Sequence, residues 1–359
     1  MQTQVLVDAA EFWGRLKDDL RDARERVYVQ TFSFEGDRVG TALGRALERC
    51  RAIDRRLLVD GFSLLYHNDR LIPGPAWLER PFRREVKLTH RWVSRLRDGG
   101  ARVKFGNPIG PWPLKLVRRN HKKLVVIDDR ISYFGGINFS EHNFEWHDVM
   151  FRVECSEFAR VLAGDFRASW DGRPQTMDEQ VGPFRVLSLN GRGNSRMLRP
   201  VLEAIAAAQR SIDVMSAYLS HPFTHHLAAA QRSGTRVRVL TPAANNKSNL
   251  ARHILQRAHR DDFDVFRFPG VMSHMKAMLI DDELLVAGSS NFDFMSYHIL
   301  EEIIVMTRDP ATVESFVERV WIPDLAGASQ ARVHPSIGTW YGDAVVRVGA
   351  AVAGALARP

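Results

Sequence analysis

HKKLVVID, residues 121–128, returns later in the chain as HMKAMLID, residues 274–281. Each copy reads His, one residue, Lys, four residues, Asp: His121, Lys123 and Asp128 in the first, His274, Lys276 and Asp281 in the second. Seventeen residues after each His stands an Asn, Asn138 in GGIN and Asn291 in GSSN, with Gly135 and Gly288 in matching register and Gly136 and Ser289 just after them. The apolar run inside each copy predicts a buried strand, and residues two apart on a strand share a face, so each His and its Lys project together. The glycines let backbone approach a ligand closely. A single triplet of this kind is ordinary at a strand edge. Two triplets at one spacing, beside buried strands where a lone charge is expensive, point instead to a pocket for a tetrahedral phosphate. Phosphodiester chemistry is therefore expected, with Asn138, Asn291, Gly136 and Ser289 as phosphate-binding positions.

The duplication extends beyond the motifs. Residues 16–34 read as a helix followed by an alternating strand, and 202–219 repeat that sense. A second helix and strand follow at 40–60 and again at 225–242. Alternating helices and strands predict an α/β fold: two repeated α/β halves, each a mixed sheet flanked by helices, packed as a pseudo-dimer with one shared active site. Residues 1–171 form the first half and 184–324 the second. The polar stretch 172–183, with Gly and Pro near both ends and no periodicity, is read as the linker. Residues 325–359 lose the repeat and form a C-terminal extension. The first half also carries an insertion of about forty residues, 60–99, which includes a basic helix at 83–97 of no evident role.

The chain has 359 residues, 45% of them hydrophobic, enough for two halves with real cores. Fifty Lys and Arg against 42 Asp and Glu give a net charge of +8, which favours anionic partners without choosing between nucleic acid and acidic lipid. The two cysteines, Cys50 and Cys155, are too few for a disulfide framework, and no Cys/His spacing resembles a zinc site. No metal and no cofactor are expected. The N-terminus lacks the pattern of an export signal, and the longest uncharged apolar run falls short of the ~20 residues of a spanning helix. No transmembrane segment is expected, and the cytoplasm is the expected location. The tail 344–359 could lie at a membrane surface, but its small Ala and Gly side chains bury little area and it is read instead as a packed or frayed terminal helix.

HKKLVVID, GGIN, HMKAMLID and GSSN resemble the duplicated motifs of the phospholipase D superfamily, over most of residues 5–320. RRNHKKLVVIDDRISYFGGINFSEHN and GSSNFDFMSYHILEEIIVM resemble more narrowly the bacterial cardiolipin synthases, in their short form without N-terminal membrane spans. The resemblance implies a metal-independent mechanism in which one imidazole attacks phosphorus and the other, protonated, releases the alkoxide. It implies His121 as nucleophile and His274 as general acid. Lys123, Lys276, Asn138 and Asn291 would stabilise the nonbridging oxygens. An acid that orients each imidazole is implied downstream, at Asp148 and at Glu302, with Glu301 left open beside it. Asp128 and Asp281, counted with the catalytic set as the acids of the motifs, look more like turn residues that hold the two half-sites together. The chain departs from the pattern of many relatives at Met295, Ser296 and Leu300, which bears on the fine substrate class.

The segment 107–123 combines Ile109, Trp112, Leu114 and Leu116 with Lys115, Arg118, Arg119 and Lys122, a mixture suited to an anionic bilayer surface. The leading expectation is a phosphatidyltransferase that resembles cardiolipin synthase, peripheral on the inner face of the cell membrane, with anionic phospholipid as partner. The alternative is a phospholipase D or nuclease that uses water, the latter with nucleic acid as partner. A noncatalytic scaffold that binds anionic lipid would be expected to have lost one half-site, and this chain has kept both.

Overall fold

The computed structural model describes residues 1–110, 116–331 and 336–357. The chain divides into two compact units, Met1–Gln175 and Thr176–Pro359.

The first unit is built on strands β1 (Gln2–Val7), β2 (Arg26–Thr31) and β3 (Asp54–Asp60), a small ribbon of β4 (Tyr66–His67) and β5 (Arg70–Leu71), then β6 (Arg102–Gly106), β7 (Leu124–Ile127), β8 (Ile131–Gly135) and β9 (Val149–Glu154). Its sheet has the order β1-β9-β8-β7-β2-β3-β6. β2, β3 and β6 run parallel, and the remaining neighbours pair antiparallel. The parallel core follows from the helical crossovers Arg38–Arg49 and Arg80–Asp98, because parallel neighbours cannot be joined by a tight turn. The antiparallel flank follows from the hairpin that the first motif enters.

The second unit repeats this order. Its strands are β10 (Met177–Val181), β11 (Phe184–Asn190), β12 (Ser211–Ser216), β13 (Arg236–Pro242), β14 (Asp264–Phe268), β15 (Lys276–Ile280), β16 (Leu284–Gly288), β17 (Glu301–Thr307) and β18 (Ser329–Gln330), in the order β10-β11-β17-β16-β15-β12-β13-β14-β18. β12, β13 and β14 are the parallel set, and β15 pairs antiparallel with β12 as β7 does with β2. The symmetry reaches single torsions: Gly135 ends β8 and Gly288 ends β16, both at φ +155°. A Cβ at either would fall 2.3 Å from Val149 O or 2.2 Å from Ile303 O, so only glycine lets the neighbouring strand come this close. Each unit has its own core, with Phe12, Leu43, Val29, Leu57 and Val125 in the first and Val201, Val214, Leu227, Val239 and Met278 in the second.

Three expectations are corrected here. The stretch 172–183 is not a free linker: β10 pairs with β11 through the turn at Gly182, and its outer position leaves most of its side chains exposed, which erased the alternation that marks a strand. Residues 325–359 are not merely peripheral, since β18 extends the second sheet along β14 and helix Ile337–Ala357 packs on helix Ser248–Asp261, where His253 Nδ1 lies 2.8 Å from Asp343 Oδ1. That helix buries Val346, Ala350 and Ala353 but leaves Trp340, Val348 and Val352 exposed. The basic surface read into 107–123 is largely absent among the described residues: Arg119 is buried against Asp60 at 3.2 Å and Lys122 is fully buried against Asp165 at 2.7 Å. Trp112, Leu114 and Lys115 lie outside the described residues. No helix among the described residues is long and apolar enough to cross a membrane.

Candidate active site

In the first unit the residue before the catalytic candidate is pinned on several sides. Asn120 donates its backbone N–H to Asp60 at 2.7 Å, and its side-chain oxygen accepts from Gln30 Nε2 at 2.9 Å and from the Lys122 N–H at 3.2 Å. His121 follows at the entrance to β7, half-buried, with its ring edge-on to Phe32 at 5.5 Å between centroids. Lys123 is buried and folds back so that Nζ donates to His121 O at 2.7 Å, 5.8 Å from the centre of the Phe32 ring. His121 and Lys123 thus lie together, as a spacing of two on an extended chain requires, while Lys122 between them turns to the helix Ser156–Trp170. Asn138 is buried, with its oxygen 3.5 Å from Thr31 Oγ1 and its amide donating to Asn143 Oδ1 at 3.2 Å.

The second unit rebuilds the same arrangement. His274 is buried, its ring edge-on to Tyr218 at 5.9 Å, and Lys276 Nζ lies 2.8 Å from His274 Nδ1 and also donates to His274 O. Asn291 is buried in the loop after β16. In both units an aromatic just past the central strand walls the imidazole, Phe32 after β2 and Tyr218 after β12. The spacing of the motif gave no sign of either ring.

The acids are placed behind the glycine–serine positions. Asp148 is buried with its carboxylate against Gly136, where a Cβ would fall 2.3 Å from either oxygen, and it accepts the Val149 N–H at 2.8 Å. Glu302 is fully buried and accepts Ser289 Oγ at 2.5 Å and Ser296 Oγ at 2.9 Å. Successive strand residues face opposite ways, and Glu302 is the one that meets these two serines. Ser296, one of the departures from the common pattern, is thereby part of the acid's setting. Gly136 and Ser289 differ from their expected phosphate-binding role. Their backbone N–H groups donate to Val149 O at 3.1 Å and Ile303 O at 2.9 Å, and the Ser289 hydroxyl is engaged by Glu302. Nearby, the Asp293 carboxyl is pushed up to about 7 by burial, held down in part by the Ser296 N–H, and raised further by the charge of Glu302.

Asp128 and Asp281 sit at the far ends of β7 and β15, away from the histidines, both at positive φ in the hairpin turn. Asp128 accepts the consecutive backbone N–H groups of Arg24, Glu25 and Arg26 at 2.9, 2.8 and 2.9 Å. Asp281 does the same for Gln209, Arg210 and Ser211, at 3.0, 2.6 and 3.0 Å. Each carboxylate ties the motif's hairpin to the turn before the central strand of its own unit, at the opposite end of the strand from the histidine, rather than joining one half-site to the other. Burial raises the Asp281 pKa, but the three backbone donors outweigh it and hold the group below its ordinary value. A folded-state pKa that is depressed contributes stability above the unfolded value of about 3.9, and this is lost as pH falls through the folded value. Urea melts should therefore show the wild type weakening below about pH 4 and Asp281→Asn changing less over that range. At neutral pH Asp281→Ala is expected to cost about 2 kcal/mol, the scale of lost hydrogen bonds to a charged group. An unchanged melt at neutral pH would contradict this role.

A family described as "Cardiolipin synthase, PLD-like domain" matches residues 16–170 and 201–321, one span in each unit. The probable cardiolipin synthase YwiE of Bacillus subtilis (strain 168) is 22% identical over 87% of this chain, which spans 64% of that protein's length. Cardiolipin synthase B of Escherichia coli (strain K12) is 24% identical over 85% of the chain and 76% of its own length. Among solved structures, the phosphatidylserine synthase of Haemophilus influenzae Rd KW20 aligns with a TM-score of 0.73 at 15% identity, over 98% of this chain and 95% of that one. The latter likeness is one of fold. Two matched spans that together take in both motif copies, and most of the chain, decide the matter: this chain belongs to the cardiolipin synthase, phospholipase D-like family.

Proposed function

We propose that the chain is a phosphatidyltransferase of the cardiolipin synthase type, in which the two half-sites act on one phosphodiester. The neutral imidazole of His121 attacks phosphorus, the N–P bond forms, and the P–O bond to the leaving glycerol of phosphatidylglycerol breaks as the His274 imidazolium gives that oxygen its proton. The hydroxyl of a second phosphatidylglycerol, or of another alcohol, then attacks the phosphohistidine. His274 takes its proton, and His121 is released. Lys123, Lys276, Asn138 and Asn291 donate to the nonbridging oxygens where charge gathers, which supplies the neutralisation a metal provides in other phosphoryl transfers. Asp148 and Glu302 orient the imidazoles, and Ser289 positions Glu302. The observation that carries the reading is the duplicated pair, half-buried His121 with buried Lys123 and buried His274 with buried Lys276, in the same strand setting in each unit. A lysine and a histidine brought together at the end of a buried strand suit a tetrahedral phosphate.

The substrate lies in a bilayer, so the protein works at an anionic membrane surface, on the inner face of the cell membrane. The net charge of +8 supports that contact. The outward face of helix Ile337–Ala357, with Trp340, Val348 and Val352, offers an exposed apolar surface for it. Product analysis tests the function. Incubated with phosphatidylglycerol vesicles, the protein is expected to yield cardiolipin and glycerol. Phosphatidic acid as the main product would make it a phospholipase, cleavage of single-stranded DNA a nuclease, and vesicle binding without turnover a scaffold.

A further inference from the structure

The insertion between β3 and β6 has a use that the repeat does not explain. It brings His67, from β4, and Glu85, from helix Arg80–Asp98, up to Glu35, which lies in the loop after β2. One donor atom from each of the three side chains lies within 4.8 Å of the other two. Glu35 and His67 are 3% and 2% exposed, and the Glu85 side chain is 22% exposed. The imidazole is the informative group. His67 Nδ1 has no hydrogen-bond partner although it is buried, and it points at Glu85 Oε1, itself unpartnered, across 3.7 Å. Glu35 accepts one backbone N–H, from Asn68 at 3.1 Å. Next to these groups is a cavity of about 240 Å³, whose walls add the carboxylates of Asp37, Glu141 and Glu145 and the imidazole of His142. Arg38 meets Glu141 at 3.0 Å on the outer side.

Buried acceptors that are left unpaired cost free energy, and several carboxylates around one cavity cost more. A positive ion among them removes both penalties at once. We propose that Glu35, His67 and Glu85 bind a divalent transition-metal ion of the zinc class. One imidazole nitrogen with carboxylate oxygens is the donor set of zinc and its first-row neighbours, whereas magnesium and calcium favour oxygen alone. Glu85, the least enclosed of the three, has room to close on the ion. The ion fastens the insertion to the loop after β2, where the fit is already tight: a Cβ at Gly36 would fall 2.3 Å from Thr89 N and 2.5 Å from Glu85 O, and the Gly36 N–H donates to Thr89 Oγ1 at 2.7 Å. The role is structural and stands whether or not the proposed transferase chemistry holds.

The test uses the full-length protein, stripped with chelator, reloaded with Zn2+ and desalted. About one zinc per chain is expected by elemental analysis, together with a rise of about 5 °C in melting temperature at a hundredfold excess over the dissociation constant. Mg2+ at the same concentration is expected to give neither. Co2+ in place of Zn2+ should give the visible bands of a low-coordinate nitrogen and oxygen site. Glu85→Gln and His67→Gln, from different elements, should each abolish retained zinc and the thermal shift while the far-ultraviolet circular dichroism stays that of the wild type. A wild type that keeps no stoichiometric zinc overturns the proposal, as do variants that keep as much zinc as the wild type. The Co2+ spectrum of the wild type decides the matter if neither variant folds.

Discussion

His121→Ala is expected to reduce turnover by at least about 10^4-fold and to give no covalent phosphoprotein. His274→Ala is expected to lose about as much turnover on natural substrate yet to trap one phosphatidyl group per chain from a phosphatidyl aryl ester. The difference rests on which bond needs a proton. An aryloxide leaves without protonation, so removing the acid spares the first step for that substrate. The second step still needs a base to take the acceptor's proton, so the phosphohistidine stays loaded. One equivalent of released aryloxide per chain, followed by no further release, is the expected trace for His274→Ala. His121→Ala should release none. The two half-sites are near copies, and their environments are where they differ: His121 is half-buried, whereas His274 is buried and its Nδ1 meets Lys276 at 2.8 Å. The opposite pattern, a burst from His121→Ala and none from His274→Ala, would reverse the assignment, and bursts from both would remove the covalent step.

How far the chain could be read before its fold was known depended on the range of each interaction. His121 and Lys123 were legible as partners because a spacing of two on a strand fixes a common face whatever the rest of the protein does. Asp128 and Asp281 were legible as turn residues for the same local reason, although the backbone groups that they hold, 102–104 and 70–72 residues away, were not. Lys122 was misread as a surface charge because its partner, Asp165, is 43 residues distant and lies on a helix whose face the sequence shows but whose neighbour it does not. Arg119 was misread in the same way, with Asp60 fifty-nine residues back. β10 escaped because an outer strand with exposed sides keeps no hydrophobic period. The cluster of Glu35, His67 and Glu85 had no sequence signal at all, since its members come from a loop, a two-residue strand and a helix at unrelated spacings.

The buried pair between Lys122 and Asp165 sets the second large expectation. Asp165→Ala should destabilise the protein by about 3–5 kcal/mol, the usual result of removing one member of a buried ion pair. Lys122 Nζ meets both carboxylate oxygens, at 2.7 and 2.9 Å, with the lysine side chain fully buried and that of the aspartate 2% exposed. With the carboxylate gone, the buried ammonium loses both of these contacts, and the penalty is a large part of the ~5–15 kcal/mol that holds a typical domain together. Lys122 lies between His121 and Lys123, so movement there displaces the pair proposed to act on phosphorus. Turnover should fall in Asp165→Ala even at temperatures where the protein stays folded. The double variant Lys122→Met with Asp165→Leu separates charge from packing: replacing a buried pair by apolar groups of similar size is often neutral or stabilising, so its urea midpoint should return near that of the wild type. Turnover should recover with it if the pair serves only to anchor the strand. A urea midpoint for Asp165→Ala equal to that of the wild type would show that the pair carries none of the load argued for it.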